Sequence, residues 1–103
     1  MTVTAGLALT AEELETVTGI LTRWLPRGYR VFVFGSRAGG KAKPWSDLDL
    51  SIEGAEPLSL ATLAALSAAF DESPLRWKVD LVDRAAVSDE FRVIIDRGKV
   101  ALV

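Results

Sequence analysis

The stretch FGSRAGGKAKPWSDLDLSIE, residues 34–53, decides how the rest of the chain is read. It opens on the last residue of YRVFVF (29–34), a β-branched and aromatic run that reads as a strand. Gly35 and Ser36 turn the chain, and cationic side chains follow at Arg37, Lys41 and Lys43. DLDLSIE (47–53) then alternates strictly, as a second, half-buried strand does. The stretch is either a charged surface loop between two strands, or two halves of one site, for a phosphate and a metal ion.

Strand side chains alternate between faces. Leu48, Leu50 and Ile52 share one face, and Asp47, Asp49 and Ser51 the other. LRWKVDLVD (75–83) reads as a third strand, with Trp77, Val79 and Leu81 on one face and Lys78, Asp80 and Val82 on the other. If these strands are neighbours and their apolar faces meet helices, Asp47, Asp49 and Asp80 lie together on the uncovered face. Two aspartates at i and i+2 stand about 7 Å apart at Cα, so their carboxylates can share a hard cation. Without one, three like charges raise one another's pKa; magnesium relieves that repulsion and prefers oxygen ligands.

Two such aspartates alone read most simply as a solvated strand face. The turn before them changes that. Glycine permits close backbone approach. If residues 37–41 begin a short helix, free N–H groups and the Ser36 hydroxyl converge on one spot, which suits a phosphate. This is not a P-loop, because no GxxxxGK[ST] is present.

Outward from this centre, TAEELETVTGILTRWLP (10–26) reads as a helix. Thr10 and Glu13 have capping-box spacing, and Leu14, Val17, Leu21, Trp24 and Leu25 recur on one face. LSLATLAALSAAF (58–70) is a second helix, with Leu60, Leu63, Leu66 and Phe70 at helical spacing. Ser88, Asp89 and Glu90 open a short last helix that Gly98 ends, and KVALV (99–103) is a candidate terminal strand. The order helix, strand, strand, helix, strand, helix points to an α+β fold: one small mixed sheet with helices on one face. The 103 residues fit a single domain, 1–103.

Composition excludes several chemistries. The chain has no cysteine and no histidine, so there is no disulfide, no thiolate zinc site and no Ser-His-Asp or Cys-His catalysis. A net charge of −2 argues against direct nucleic-acid binding. No apolar run approaches a membrane span. The N-terminal MTVTAGLALTAEEL lacks the basic start of a signal peptide, so a cytoplasmic protein is expected.

Gly35-Ser36, ten intervening residues and Asp47-x-Asp49 resemble the signature of the DNA polymerase β-like nucleotidyltransferase superfamily. The wider run GSRAGGKAKPWSDLDLSIE, WKVDLVD with Asp80, and the closing IIDRGKVALV are similar to its minimal nucleotidyltransferase (MNT) branch. The resemblance implies the polymerase β-like fold and AMP transfer from ATP to a hydroxyl. It implies two Mg²⁺ ions (Mn²⁺ an alternative) on Asp47 and Asp49, with Asp80 sharing one of them. Gly35, Ser36, Arg37, Lys41 and Lys43 would serve the nucleoside triphosphate. One departure is Gly39, where many relatives carry a second arginine in GSRARG. MNT proteins typically pair with a helical HEPN-domain protein, so the resemblance implies an antitoxin that adenylylates a tyrosine of a HEPN toxin.

Other readings stay open. One is a non-catalytic module that blocks a HEPN partner sterically, using a stripe of Phe91, Ile94 and Ile95 that reads first as ordinary core. Another is nucleotidyl transfer to RNA or a small molecule. A homodimer is open as well. Among single residues, Asp83 has the opposite parity to Asp80 and reads as a cap, and Ser46 as a hydrogen bond at the strand's start. Trp24 and Trp77 read as core. Trp45 stacks on a base or packs on its own strand, Lys78 touches phosphate or balances the carboxylates, and Glu53 stands too far along to join the metals.

Overall fold

The computed structural model describes residues 7–39 and 42–102. Helix α1 (Ala11–Trp24) starts where the sequence sets its cap: the Thr10 hydroxyl accepts from Glu13 N, and the Glu13 carboxylate accepts from Thr10 N. Strand β1 (Arg30–Phe34) ends in a 3₁₀ turn, Gly35–Arg37, and β2 follows at Leu48–Glu53. Helix α2 (Leu60–Asp71), capped by Ser59, leads to β3 (Val79–Asp83). Ser88 caps the short α3 (Asp89–Asp96), and β4 (Val100–Ala101) closes the sheet.

The strand order is β3-β2-β1-β4. β1 pairs antiparallel with β2 and with β4, while β2 and β3 run parallel, which requires the crossover that α2 supplies. The register sorts the sheet into two faces. Val31, Val33, Leu48, Leu50 and Ile52 are fully buried and join Val17, Leu21, Leu66 and Phe70 of α1 and α2 in the main core. Phe32, Phe34, Asp49, Ser51 and Asp80 share the opposite face.

That second face is more covered than strand parity alone predicts. Phe34 is buried and meets Phe91 of α3 edge-on, with ring centroids 6.1 Å apart. Ser51 is fully buried, and so is Ile95 of α3. The two long helices take the expected face, while the short third helix lies against the face that carries the aspartates.

Other expectations need correction. The third strand starts at Val79 rather than Leu75, because β2 offers its first ladder partner only at Leu48, opposite Val79. Trp24 is 43% exposed rather than core; it ends α1, with Arg23 stacked on its ring at 5.4 Å. Leu60 is 84% exposed, since the first residue of α2 precedes the turn that meets the sheet. Ile94 is exposed too, so the α3 stripe reduces to Phe91 and Ile95. Trp77 is buried as expected.

Candidate active site

The site forms where β1, β2 and β3 end or begin side by side. Gly35 follows Phe34 with φ +75°, a left-handed conformation that favours glycine. A Cβ there would stand 2.5 Å from Asp49 Oδ2. The Gly-Ser turn and the aspartate strand are therefore in direct contact, as the pairing of Phe34 with Asp49 requires. Ser36 is partly exposed beside them.

Asp49 and Asp80 face each other in register across the parallel pair β2 and β3. Burial pushes the Asp49 carboxyl above its ordinary range; the negative charges of Asp80 and then Asp47 add to the shift, as does a hydrogen bond shared with Asp80. Asp47 stands exposed on the loop just before β2. It is near enough for its charge to reach Asp49 but is not part of the strand. Lys78 Nζ lies 3.4 Å from Asp80 Oδ1 with most of its side chain in solvent, the placement of a counter-charge.

Among the described residues no three acidic side chains are drawn together as a ready-made metal cage. What the donor set offers is two apposed carboxylates, one carrying a raised pKa, with a third nearby. Mg²⁺ is typically held by one or two carboxylates together with substrate phosphates rather than by a complete protein cage, so these residues fit such an ion.

Arg37 is engaged within the protein. Its side chain is buried rather than turned toward a phosphate. Nε donates to the Ser46 carbonyl at 3.0 Å, one terminal nitrogen to the Ala8 carbonyl at 2.8 Å, and the other to the Pro44 carbonyl at 3.4 Å. The guanidinium also lies 4.3 Å from the centroid of Trp77. Burial lowers its pKa, opposed by the charges of Glu13 and then Asp47. Arg37 thus fastens the Gly35–Arg37 turn to the loop carrying Asp47. Its partner carbonyls carry no side-chain signal, so sequence reasoning missed this.

Lys43 is exposed, with its ammonium 5.6 Å from the centroid of the Trp45 ring. Lys41 lies outside the described residues. Ser46 holds the loop as expected: its hydroxyl accepts from Lys43 N at 2.9 Å. Asp83 caps the 3₁₀ turn Arg84–Ala86 through Ala85 N, and its second oxygen accepts from Leu58 N at 2.8 Å. Glu53 is engaged away from the aspartates, by Lys99 at 3.0 Å.

Comparison with known proteins identifies the family and the fold. Residues 14–101 match the nucleotidyltransferase domain family. A probable protein adenylyltransferase, MntA, of Haemophilus influenzae is 47% identical over 102 residues, spanning 99% of this chain and 89% of the relative. A toxin–antitoxin complex solved with AMP-PNP superposes with a TM-score of 0.73 at 23% identity, covering 87% of this chain and 72% of that one. A Shewanella oneidensis complex of a tri-AMPylated HEPN toxin with its MNT antitoxin gives 0.66 at 20% identity, covering 87% and 68%. At those identities the structural likeness speaks for the fold. The family match and the close relative, each spanning most of the chain, place this protein in the nucleotidyltransferase domain family, as a minimal nucleotidyltransferase.

Proposed function

We propose that this protein transfers AMP from ATP to a tyrosine hydroxyl of a HEPN-domain partner and so acts as its antitoxin. The observation that carries the reading is the direct contact between the Gly35-Ser36 turn and Asp49, itself apposed to Asp80. A phosphate-binding turn and a carboxylate pair in contact suit one ligand that is both polyphosphate and metal-bound. The Haemophilus influenzae relative, a probable protein adenylyltransferase, supports protein as the acceptor class. The tri-AMPylated HEPN toxin in a structural neighbour supports the partner.

In this reading Ser36 and the backbone of its turn hold the terminal phosphates, with Gly35 keeping the approach open. Lys43 offers positive charge to the same ligand, and Lys41 belongs to the same basic run. Asp47 and Asp49 would hold the divalent ions, two Mg²⁺ or Mn²⁺, with Asp80 sharing one. Bound there, such ions would neutralise charge on the phosphates and lower the pKa of the acceptor hydroxyl. The acceptor oxygen bonds to the α-phosphorus, the bond to the bridging oxygen breaks, and pyrophosphate leaves. The acceptor's proton departs toward Asp80. No side chain need act as a covalent nucleophile, consistent with a chain that lacks cysteine and histidine.

The test is mass spectrometry of a HEPN partner incubated with ATP, Mg²⁺ and either the wild type or the Asp47→Ala/Asp49→Ala variant. Adenylate on a tyrosine with the wild type alone is expected. A partner that is inhibited yet unmodified would favour the steric alternative, and equal labelling by both proteins would remove the roles given to the aspartates.

A further inference from the structure

Trp45 is 72% exposed, so it does not pack on its own strand. Yet its backbone is held on both sides. Arg37, itself buried, donates to the carbonyls of Pro44 and Ser46, the residues that flank it. The 43–46 turn is closed a second time by Ser46 N donating to the Lys43 carbonyl at 3.0 Å and by Lys43 N donating to the Ser46 hydroxyl at 2.9 Å. Asp47 follows directly after this turn, two residues from Trp45. A large aromatic ring is thus presented to solvent on a braced loop that leads directly into Asp47. Its neighbour Lys43 places an ammonium 5.6 Å from the ring centroid.

An exposed indole on a flexible loop needs no explanation. One on backbone that a buried guanidinium holds in place is pre-organised to bind, since little loop ordering remains to be done. A solvent-exposed ring with a cation over one face suits a ligand that joins a flat π-system, for the other face, to an anion. A nucleotide is such a ligand, whereas a tyrosine side chain lacks the anion. We propose that Trp45 is the stacking platform for the base of the nucleoside triphosphate, with Lys43 meeting its phosphates. This rests on the nucleotide-binding reading of the site. Every base has a π-face, so the platform fixes where the base lies without reading its edge, and ATP and GTP gain similarly from it.

Calorimetric titration of the full chain with ATP, GTP and inorganic tripolyphosphate, each with Mg²⁺, tests the proposal. Trp45→Ala should weaken both nucleotides about tenfold and leave tripolyphosphate unchanged, and Trp45→Phe should restore most of the loss. Equal weakening of tripolyphosphate would make the ring a prop for the loop and overturn the proposal. Unchanged ATP affinity with a raised KM for the protein acceptor would move the ring to the acceptor side and overturn it too. A wild type that binds none of the three ligands would remove the nucleotide reading itself, and this inference with it.

Discussion

Gly35 and Asp49 come so close that a methyl group on the glycine would stand 2.5 Å from Asp49 Oδ2. Gly35 opens the turn that follows β1, Asp49 lies on the neighbouring β2, and their contact joins the two halves of the site. Gly35→Ala therefore has two costs. Its φ of +75° is left-handed, which costs an L-residue about 1–2 kcal/mol. The added carbon also displaces the carboxylate. Urea unfolding should show a loss on that scale. AMP transfer should fall about a hundredfold, the usual consequence of misplacing a reacting group by an ångström. A variant with normal transfer would mean that Asp49 does not act from the position described here.

Asp49 itself should trade stability against function. Its carboxyl titrates above the ordinary range because it is partly buried and faces Asp80 and Asp47. A folded-state pKa above the unfolded one means that stability falls as pH rises between the two values. Asp49→Asn removes that penalty, so without divalent ions it should melt higher than the wild type at neutral pH. The gain should shrink as the pH drops toward the unfolded carboxylate value. Mg²⁺ should raise the wild-type Tm more than that of the variant, and the variant should lose AMP transfer. A variant less stable than wild type at every pH would contradict the electrostatic account.

Arg37 gives a prediction about construction rather than chemistry. Its three carbonyl partners, on Ala8, Pro44 and Ser46, come from two separate segments. Lysine keeps the charge but not the planar fork, so Arg37→Lys leaves at least one of these partly buried carbonyls without its donor. A loss of about 2 kcal/mol is expected in urea unfolding, with a larger loss for Arg37→Ala, which also abandons Trp77. A surface-like change of a few tenths of a kcal/mol would sink this reading and return Arg37 to the phosphate.

Much of the site could be read from the chain because strand parity is a local property. Leu48, Leu50 and Ile52 had to share one face and Asp49 and Ser51 the other, whatever the fold, and the Thr10–Glu13 cap is equally local. That β3 lies beside β2, bringing Asp80 to Asp49, is a matter of topology, and strand parity could state it only as a condition. The direction of Arg37 was less legible still. Ala8, one of its acceptors, lies 29 residues away and offers a backbone carbonyl that no side chain announces. The same limit explains Trp24 and Ile94: helical spacing marks a face but not where the neighbouring surface ends.

The helix that covers the second face is held by a charge network, and its pH response has a definite sign. Asp96 ends α3, where the helix dipole disfavours a negative charge. Arg84 donates to it from two nitrogens, at 3.1 and 2.6 Å, and Lys99 at 2.9 Å while also gripping Glu53. The hydrogen bonds from Arg84, then the one from Lys99, hold the Asp96 carboxyl down to about 2, against an ordinary 3.8. A depressed folded-state pKa gives stability that is complete above the unfolded value and lost as pH falls through the folded one. The Tm gap between wild type and Asp96→Asn should be steady at neutral pH and close as the pH drops from 3.8 toward about 2. The network is partly exposed, so molar salt should narrow the gap as well. A gap that ignored both pH and salt would show that Asp96 holds α3 by packing rather than by charge.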